Sequence, residues 1–353
     1  MRLPRPSVNW LLAFVPVSLA AELLHSPVAI FVTSVLAILP LAALIGTATE
    51  QLAVRLGPRL GGLLNATLGN LTELIVAVLL VSAGEFAVVK ATLIGSIVGN
   101  LLLVLGLSLA AGGVRHEQQR FNAQAANVHS ASLLLAVAGL VVPALLVLTT
   151  RSLDFSGREV VSGVVAAVLI GLYLAALYFT QVTHAHLFHV PDRAEVATWS
   201  LRWALFVLTA SALLVGLESE LLVSSLDTAL DALGIPVMFV GLILIPVIGN
   251  AAEHASAVFF AIRDRVDLTL EIAVGSSTQV AMFVAPVLVF ISLAVGKPMD
   301  FVFSGFEVAI VGLATLIVAV MSLDGRSNWL EGAQLLGAYL VVAVAAYFVV
   351  PAG

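Results

Sequence analysis

Gly69-Asn70-Leu71-Thr72-Glu73 and Gly249-Asn250-Ala251-Ala252-Glu253 are two copies of one stretch, and the chain is organised around them. The first lies in the apolar run from Leu63 to Val81, the second in the run from Val237 to Ile262. Each is followed at the same distance by a Gly-Ser pair, Gly95-Ser96 and Gly275-Ser276. Positions 69, 73 and 95 thus recur at 249, 253 and 275, a constant offset of 180. Such a spacing argues internal duplication, with a carboxylate at the same place in each half. Thr49-Glu50-Gln51-Leu52 and Ser219-Glu220-Leu221-Leu222 form a further pair at an offset of 170, so about ten residues were gained before the second core motif.

Around these motifs the chain is apolar. Of its 353 residues 61% are hydrophobic and 10% charged, against about 25% charged in an average soluble domain. Several runs exceed the ~20 residues that carry a helix across a bilayer. The ~10-residue strands of alternating polarity that build a membrane β-barrel are missing. The expected fold is therefore all-α and polytopic, with the bilayer as its solvent. With 0 cysteines, disulfides, thiolate metal sites and thiol catalysis are excluded. No basic run suggests nucleic acid, and the net charge of −6 is spread over short loops.

Arg2 and Arg5 precede an apolar run from Trp10 to Leu24, read as a retained first span rather than a signal peptide, although Ser18-Leu19-Ala20 offers a small-residue cleavage site. Ten more spans are expected near 28–53, 62–83, 88–113, 124–149, 159–183, 199–226, 235–262, 268–295, 303–322 and 329–350. Gly57-Pro58, Gly112-Gly113, Pro191, Gly234 to Pro236, Gly296 to Pro298 and Asp324-Gly325 punctuate them. Eleven spans put the termini on opposite sides. With the N-terminus inside, inner segments hold Arg2, Arg5, Arg55, Arg59, Arg115, Arg120, Arg193, Arg202, Arg263, Arg265 and Arg326. Outer ones hold Lys90, Arg151, Arg158 and Lys297, so the positive-inside rule favours a cytoplasmic N-terminus and an outer C-terminus.

Residues 1–26 then form the first span, 27–184 the first repeat (spans two to six), 185–198 an inner linker, and 199–353 the second repeat (spans seven to eleven). Five spans per half is an odd number, so the second half lies upside down relative to the first. Inverted-topology repeats are a signature of secondary transporters, whose sites lie near the midplane on discontinuous helices.

Glu73 and Glu253 lie deep within their runs, where a charge costs roughly 2.5–3.5 kcal/mol even on forgiving insertion scales. Glu50 and Glu220 lie closer to span ends, where a carboxylate can reach water. Asn70 and Glu73, like Asn250 and Glu253, are spaced i, i+3 and share a helix face. The glycine before each asparagine, and Pro246 in the second copy, loosen the helix and free backbone carbonyls. Ser96 with Asn100, and Ser276 with Gln279, offer more oxygens from the following spans. Ca²⁺ takes six to eight oxygens at ~2.3–2.6 Å, whereas Mg²⁺ holds its waters more tightly. Burial also favours the protonated form of a carboxyl. Cation and proton would then exclude each other at one site, and a site exposed alternately to two sides makes an antiporter.

At these residues, and in Leu63-Leu64-Asn65-Ala66-Thr67-Leu68 and His254 beside them, the sequence strongly resembles the Ca²⁺/H⁺ exchanger (cation/proton exchanger) family of the Ca²⁺/cation antiporter superfamily. The resemblance covers roughly residues 30–350. It implies eleven spans in two inverted five-helix repeats, with Glu73 and Glu253 as the central Ca²⁺ and proton carriers. Asn70, Asn250, Ser96 and Ser276 would stand beside them, and Glu50 and Glu220 along the access paths. Ca²⁺ is then the transported substrate rather than a cofactor. Some members are homo-oligomeric. Sodium/calcium exchangers of the superfamily tend to carry a Gly-Thr-Ser-x-x-Glu pattern here; Gly-Asn in its place favours protons over sodium. The vacuolar members' long N-terminal regions have no counterpart, so the chain resembles a prokaryotic member, expected in the inner membrane.

His254, i+4 from Asn250, suits either proton relay or interior packing. His184, His186 and His189 cluster in the long inner loop and read more readily as a solvated loop than as a metal site. Glu85 marks an outer loop, Arg263 to Asp267 a charged inner turn, and Gly95-x-x-x-Gly99 close helix packing. No His-Glu-x-x-His string is present for a metallopeptidase. The rival readings are a sodium-coupled Ca²⁺ exchanger, a proton antiporter for Mn²⁺ or a monovalent cation, and a cation channel with acidic rings.

Overall fold

The computed structural model describes residues 8–150, 154–188 and 197–349. Arg2, Arg5, Arg151, His189, Pro191 and Arg193, and most of the linker expected at 185–198, lie outside the described residues.

Helices dominate because the apolar runs must satisfy their backbone groups internally. In chain order they are α1 (Val8–Leu23), α2 (Pro27–Gly57), α3 (Leu71–Ala83), α4 (Phe86–Gly113), α5 (Ala123–Thr149), α6 (Phe155–Thr183) and α7 (Leu201–Leu233). There follow α8 (Val237–Gly249), α9 (Ala251–Ile262), α10 (Val266–Ala294), α11 (Gly305–Met321) and α12 (Trp329–Phe348). Among the described residues seven of these are long and apolar enough to cross a membrane, or eight if α8 and α9, bent by 63° at their junction, count as one span. α1, α3 and α11 are apolar but shorter. Every expected span thus has a helix at its place, while the length criterion alone supports fewer than eleven.

The expected span 62–83 is not one straight helix. The chain turns at Gly57, whose φ of 79° belongs to the left-handed region that glycine tolerates, runs helically to Leu68, and breaks at Gly69-Asn70 before α3 starts. The second motif breaks its own helix at Gly249-Asn250.

α4 is the central helix: 83% of its most apolar window is buried, against 22% for α6 and α12. Its contact with α8 is backbone to backbone. A Cβ on Gly95 would lie 2.2 Å from the Leu242 carbonyl oxygen and 2.7 Å from Pro246 Cγ. Gly99, paired with it in the sequence reading, has open space instead, so only the first glycine serves close packing. Both α4 and α10 contain π-helical turns, at Gly99–Val104, Glu271–Gly275 and Val280–Val284. Such turns insert an extra residue per turn and re-aim the side chains that follow. On the side of the long loops, residues Gln119–Arg120 and Arg326–Ser327 pair as a two-residue antiparallel ribbon.

Candidate cation site

Asn70 and Asn250 stand at the two breaks, with φ, ψ of −93°, 20° and −106°, 10°. Each ends one helical segment and begins the next, its carbonyl accepting from Leu74 N in one case and His254 N in the other, both at 2.9 Å. Glu73 and Glu253 consequently sit in the first turns of α3 and α9. There the unpaired N–H groups and the helix dipole favour negative charge.

The breaks face each other. A Cβ on Gly69 would lie 3.9 Å from Glu253 Oε1, and one on Gly249 would lie 3.9 Å from Glu73 Cγ. Each glycine therefore leaves room for the other half's glutamate. Ser96 of α4 donates to Glu73 Oε1 at 2.5 Å, and the Asn250 amide donates to the same oxygen at 2.6 Å. Glu73 Oε2 is buried and, among the described residues, finds no hydrogen-bond partner. In the other half the Ser276 hydroxyl lies 3.4 Å from Glu253 Oε2 and 3.3 Å from Asn70 Oδ1. The Asn70 amide donates to Gln279 Oε1 at 2.7 Å.

Seven residues singled out by sequence, Asn70, Glu73, Ser96, Asn250, Glu253, Ser276 and Gln279, thus converge on one place from α3, α4, α9 and α10. Asn100, also singled out, is buried with its Nδ2 unpartnered. His254 points a buried, unpartnered Nε2 into the interior. Glu50 and Glu220 are exposed on α2 and α7.

His184 stacks on Phe179 at 3.9 Å between ring centroids, with His186 at 6.1 Å from His184. Among the described residues no group of three His, Asp or Glu side chains is placed to hold a metal ion. Glu85 lies in the connection between α3 and α4 as expected. Partial burial and the nearby Asp227 push its carboxyl above the usual range, and Lys297 opposes them.

Sequence reasoning missed two features. Glu218 is fully buried in α7 and accepts from Ser18 of α1 at 2.8 Å. The helix-face stripe Ser211, Val215, Glu218, Leu222, Ser225 was the signal for it, since that stripe excludes Glu220. The other is His129 of α5, whose Nε2 lies 2.9 Å from Glu271 Oε2 of α10. Both line a cavity of ≈ 880 Å³ that runs from Asn122, Leu187 and Asp267 to Gly275, Thr278 and Gln279. It reaches the site at Gln279, the partner of Asn70.

Two carboxylates at facing breaks of half-length helices, approached by a cavity from one side, define a site of the secondary-transporter kind. The comparisons agree. The chain belongs to the family described as "Sodium/calcium exchanger protein", whose model matches residues 26–182 and 203–348. It is an integral membrane transporter, not an enzyme. It is 45% identical over 360 residues to the "Ca(2+)/H(+) antiporter" of Synechocystis sp., covering 96% of each chain. With the "Ca(2+)/H(+) antiporter ChaA" of Bacillus subtilis it shares 40% identity over 339 residues, 94% of this chain and 96% of that one. Its fold is similar to the structure of native YfkE, with a TM-score of 0.85, 36% identity and coverage of 97% of this chain and 100% of that one.

Proposed function

We propose that this protein exchanges Ca²⁺ for H⁺ across the membrane by alternating access, with Glu73 and Glu253 holding Ca²⁺ or protons in mutually exclusive fashion. The observation that carries the reading is the mutual approach of the two duplicated glutamates at opposed helix breaks. Relatives named Ca²⁺/H⁺ antiporters over nearly the whole chain support the choice of ions.

Asn70, Asn250, Ser96, Ser276 and Gln279 supply neutral oxygens around the two carboxylates, so that a hard cation loses its water against a ready-made shell. The unpartnered Glu73 Oε2 is a vacant acceptor for cation or proton. When the carboxylates are protonated they no longer balance a divalent charge, and the cation leaves. Reloading displaces the protons again. Glu50, Glu220 and His254 serve the proton and access paths in this reading.

The architecture proposed with it is eleven spans, as two inverted five-helix repeats after α1. The crossed contacts of Gly69 with Glu253 and Gly249 with Glu73 support that twofold relation, because exchanging the halves converts one contact into the other. The N-terminus is cytoplasmic, the C-terminus outside, the membrane a prokaryotic inner membrane, and the protein is open to homo-oligomeric assembly.

The test is Ca²⁺ flux into proteoliposomes. Uptake driven by a pH gradient without sodium, with opposite proton movement, is expected. Uptake only with a sodium gradient would assign sodium as the counter-ion, and dissipative flux without either gradient would mean a channel.

A further inference from the structure

Glu271 is not part of the paired-glutamate site, yet the cavity leads past it. Its side chain is 57% accessible although it lies on α10 between the membrane-embedded Leu270 and Ile272. The neighbouring His129 is only 17% accessible, 2.9 Å away, with the edge of Phe188 packed on its ring at 5.3 Å between centroids. The imidazole is therefore fixed, and it holds one carboxylate oxygen of a residue that lines the cavity. The other oxygen, Oε1, would lie 3.3 Å from a Cβ at Gly275, so it leans over the residue that precedes Ser276.

Asp267, Glu271, Gly275 and Gln279 follow at intervals of four residues along α10, and all four line the cavity. Asp267 at the mouth accepts from Asn122 N at 2.7 Å. Gln279 at the far end binds Asn70. A purely structural ion pair joining α5 to α10 would gain nothing from leaving the glutamate side chain more than half accessible beside a cavity. A carboxylate meant to meet a hydrated cation must be open.

We propose that Glu271, positioned by His129, is an additional binding station for the transported divalent cation, one turn before the paired-glutamate site on the cavity side. With one carboxylate as its charged ligand, the station binds a cation that keeps most of its water. It raises the local cation concentration and hands the ion on towards Ser276. This rests on the exchange reading above.

The experiment measures pH-gradient-driven Ca²⁺ uptake by the full chain from each membrane face, in everted and in right-side-out vesicles. Glu271→Gln is expected to raise the half-saturating Ca²⁺ concentration roughly three- to tenfold from one face only, the face of Asn122 and Asp267. The effect should shrink with added salt, and Glu271→Asp should restore most of it. His129→Gln should give a smaller shift at the same face, and it decides the matter if Glu271→Gln is not recovered folded. Unchanged half-saturation, or equal shifts from both faces, overturns the proposal while leaving the exchanger reading intact. Wild-type protein that takes up no Ca²⁺ with a pH gradient overturns both.

Discussion

Replacing Glu73 by glutamine separates charge from shape. The side chain keeps its volume, and its remaining oxygen can still accept from Ser96 and Asn250, the bonds of 2.5 and 2.6 Å. The new amide nitrogen takes the place of Oε2, which has no partner now. The folding cost is then at most that of one unmet buried polar group, about 1–3 kcal/mol. The cost to cation binding is much larger. A unit charge about 3 Å from a divalent ion, at an effective dielectric of about 20, is worth on the order of 10 kcal/mol before desolvation is subtracted. Even if desolvation removes most of that, several kcal/mol remain, and each 1.4 kcal/mol is tenfold in affinity. The variant also lacks the proton that must replace the cation. Purified Glu73→Gln should elute as the wild type does and melt within a few degrees of it, yet show no pH-driven Ca²⁺ uptake above empty liposomes. Full transport by this variant, or by Glu253→Gln, would refute the assignment of the site.

Other expectations concern the frame around the site. Gly95→Ala puts a methyl 2.2 Å from the Leu242 carbonyl, so α4 and α8 must part; overpacking of this kind costs about 1–3 kcal/mol and should lower Tm. Lys90 reaches Asp300 at 2.5 Å and the Val302 carbonyl at 2.9 Å; Lys90→Met leaves a nearly buried carboxylate uncompensated, and a melting curve should show a loss approaching the ~3–5 kcal/mol typical of broken buried pairs. Ser304→Ala removes the capping box with Glu307 at the start of α11 and should cost about 0.5–2 kcal/mol in the same assay. Because the Glu85 carboxyl titrates above its unfolded value, its stabilising contribution is complete at low pH and is lost as pH rises through the folded value. Glu85→Gln should therefore flatten stability against pH in the weakly acidic range, with no effect on transport.

The motif pair was legible because duplication repeats chemistry. An acid bearing the same neighbours 180 residues apart is visible in the letters alone, and the structure brings those neighbours together. The spans were legible from the apolar runs, which the bilayer forces into helices. What the runs could not reveal was where a helix bends. Leu63 to Val81 reads as one apolar run in which Gly69 marks a loosened turn, and the structure turns that loosening into a break at Gly69-Asn70. Periodicity decides Glu218 against Glu220, but counting offsets from Glu50 led to the exposed residue of the two. His129 and Glu271 carry no local signature, since their pairing is set by how α5 crosses α10 beside a cavity.

The two halves are not equivalent in the conformation described. Asn250 donates to Glu73, whereas its counterpart Asn70 donates to Gln279 and not to Glu253. Gln279 lies 180 residues after Gly99, which has no side chain and open space around it. At this position the two halves differ by an amide that captures Asn70. Among the described residues Glu73 is held by two short bonds, while Glu253 has the Ser276 hydroxyl at 3.4 Å as its one hydrogen-bond partner. The cavity ends at Gln279, on the side where the glutamate is held less firmly. In the exchange mechanism proposed here, a cation arriving through the cavity meets Glu253 while that carboxylate is still free to turn towards it, and it completes its shell on the pre-positioned Glu73.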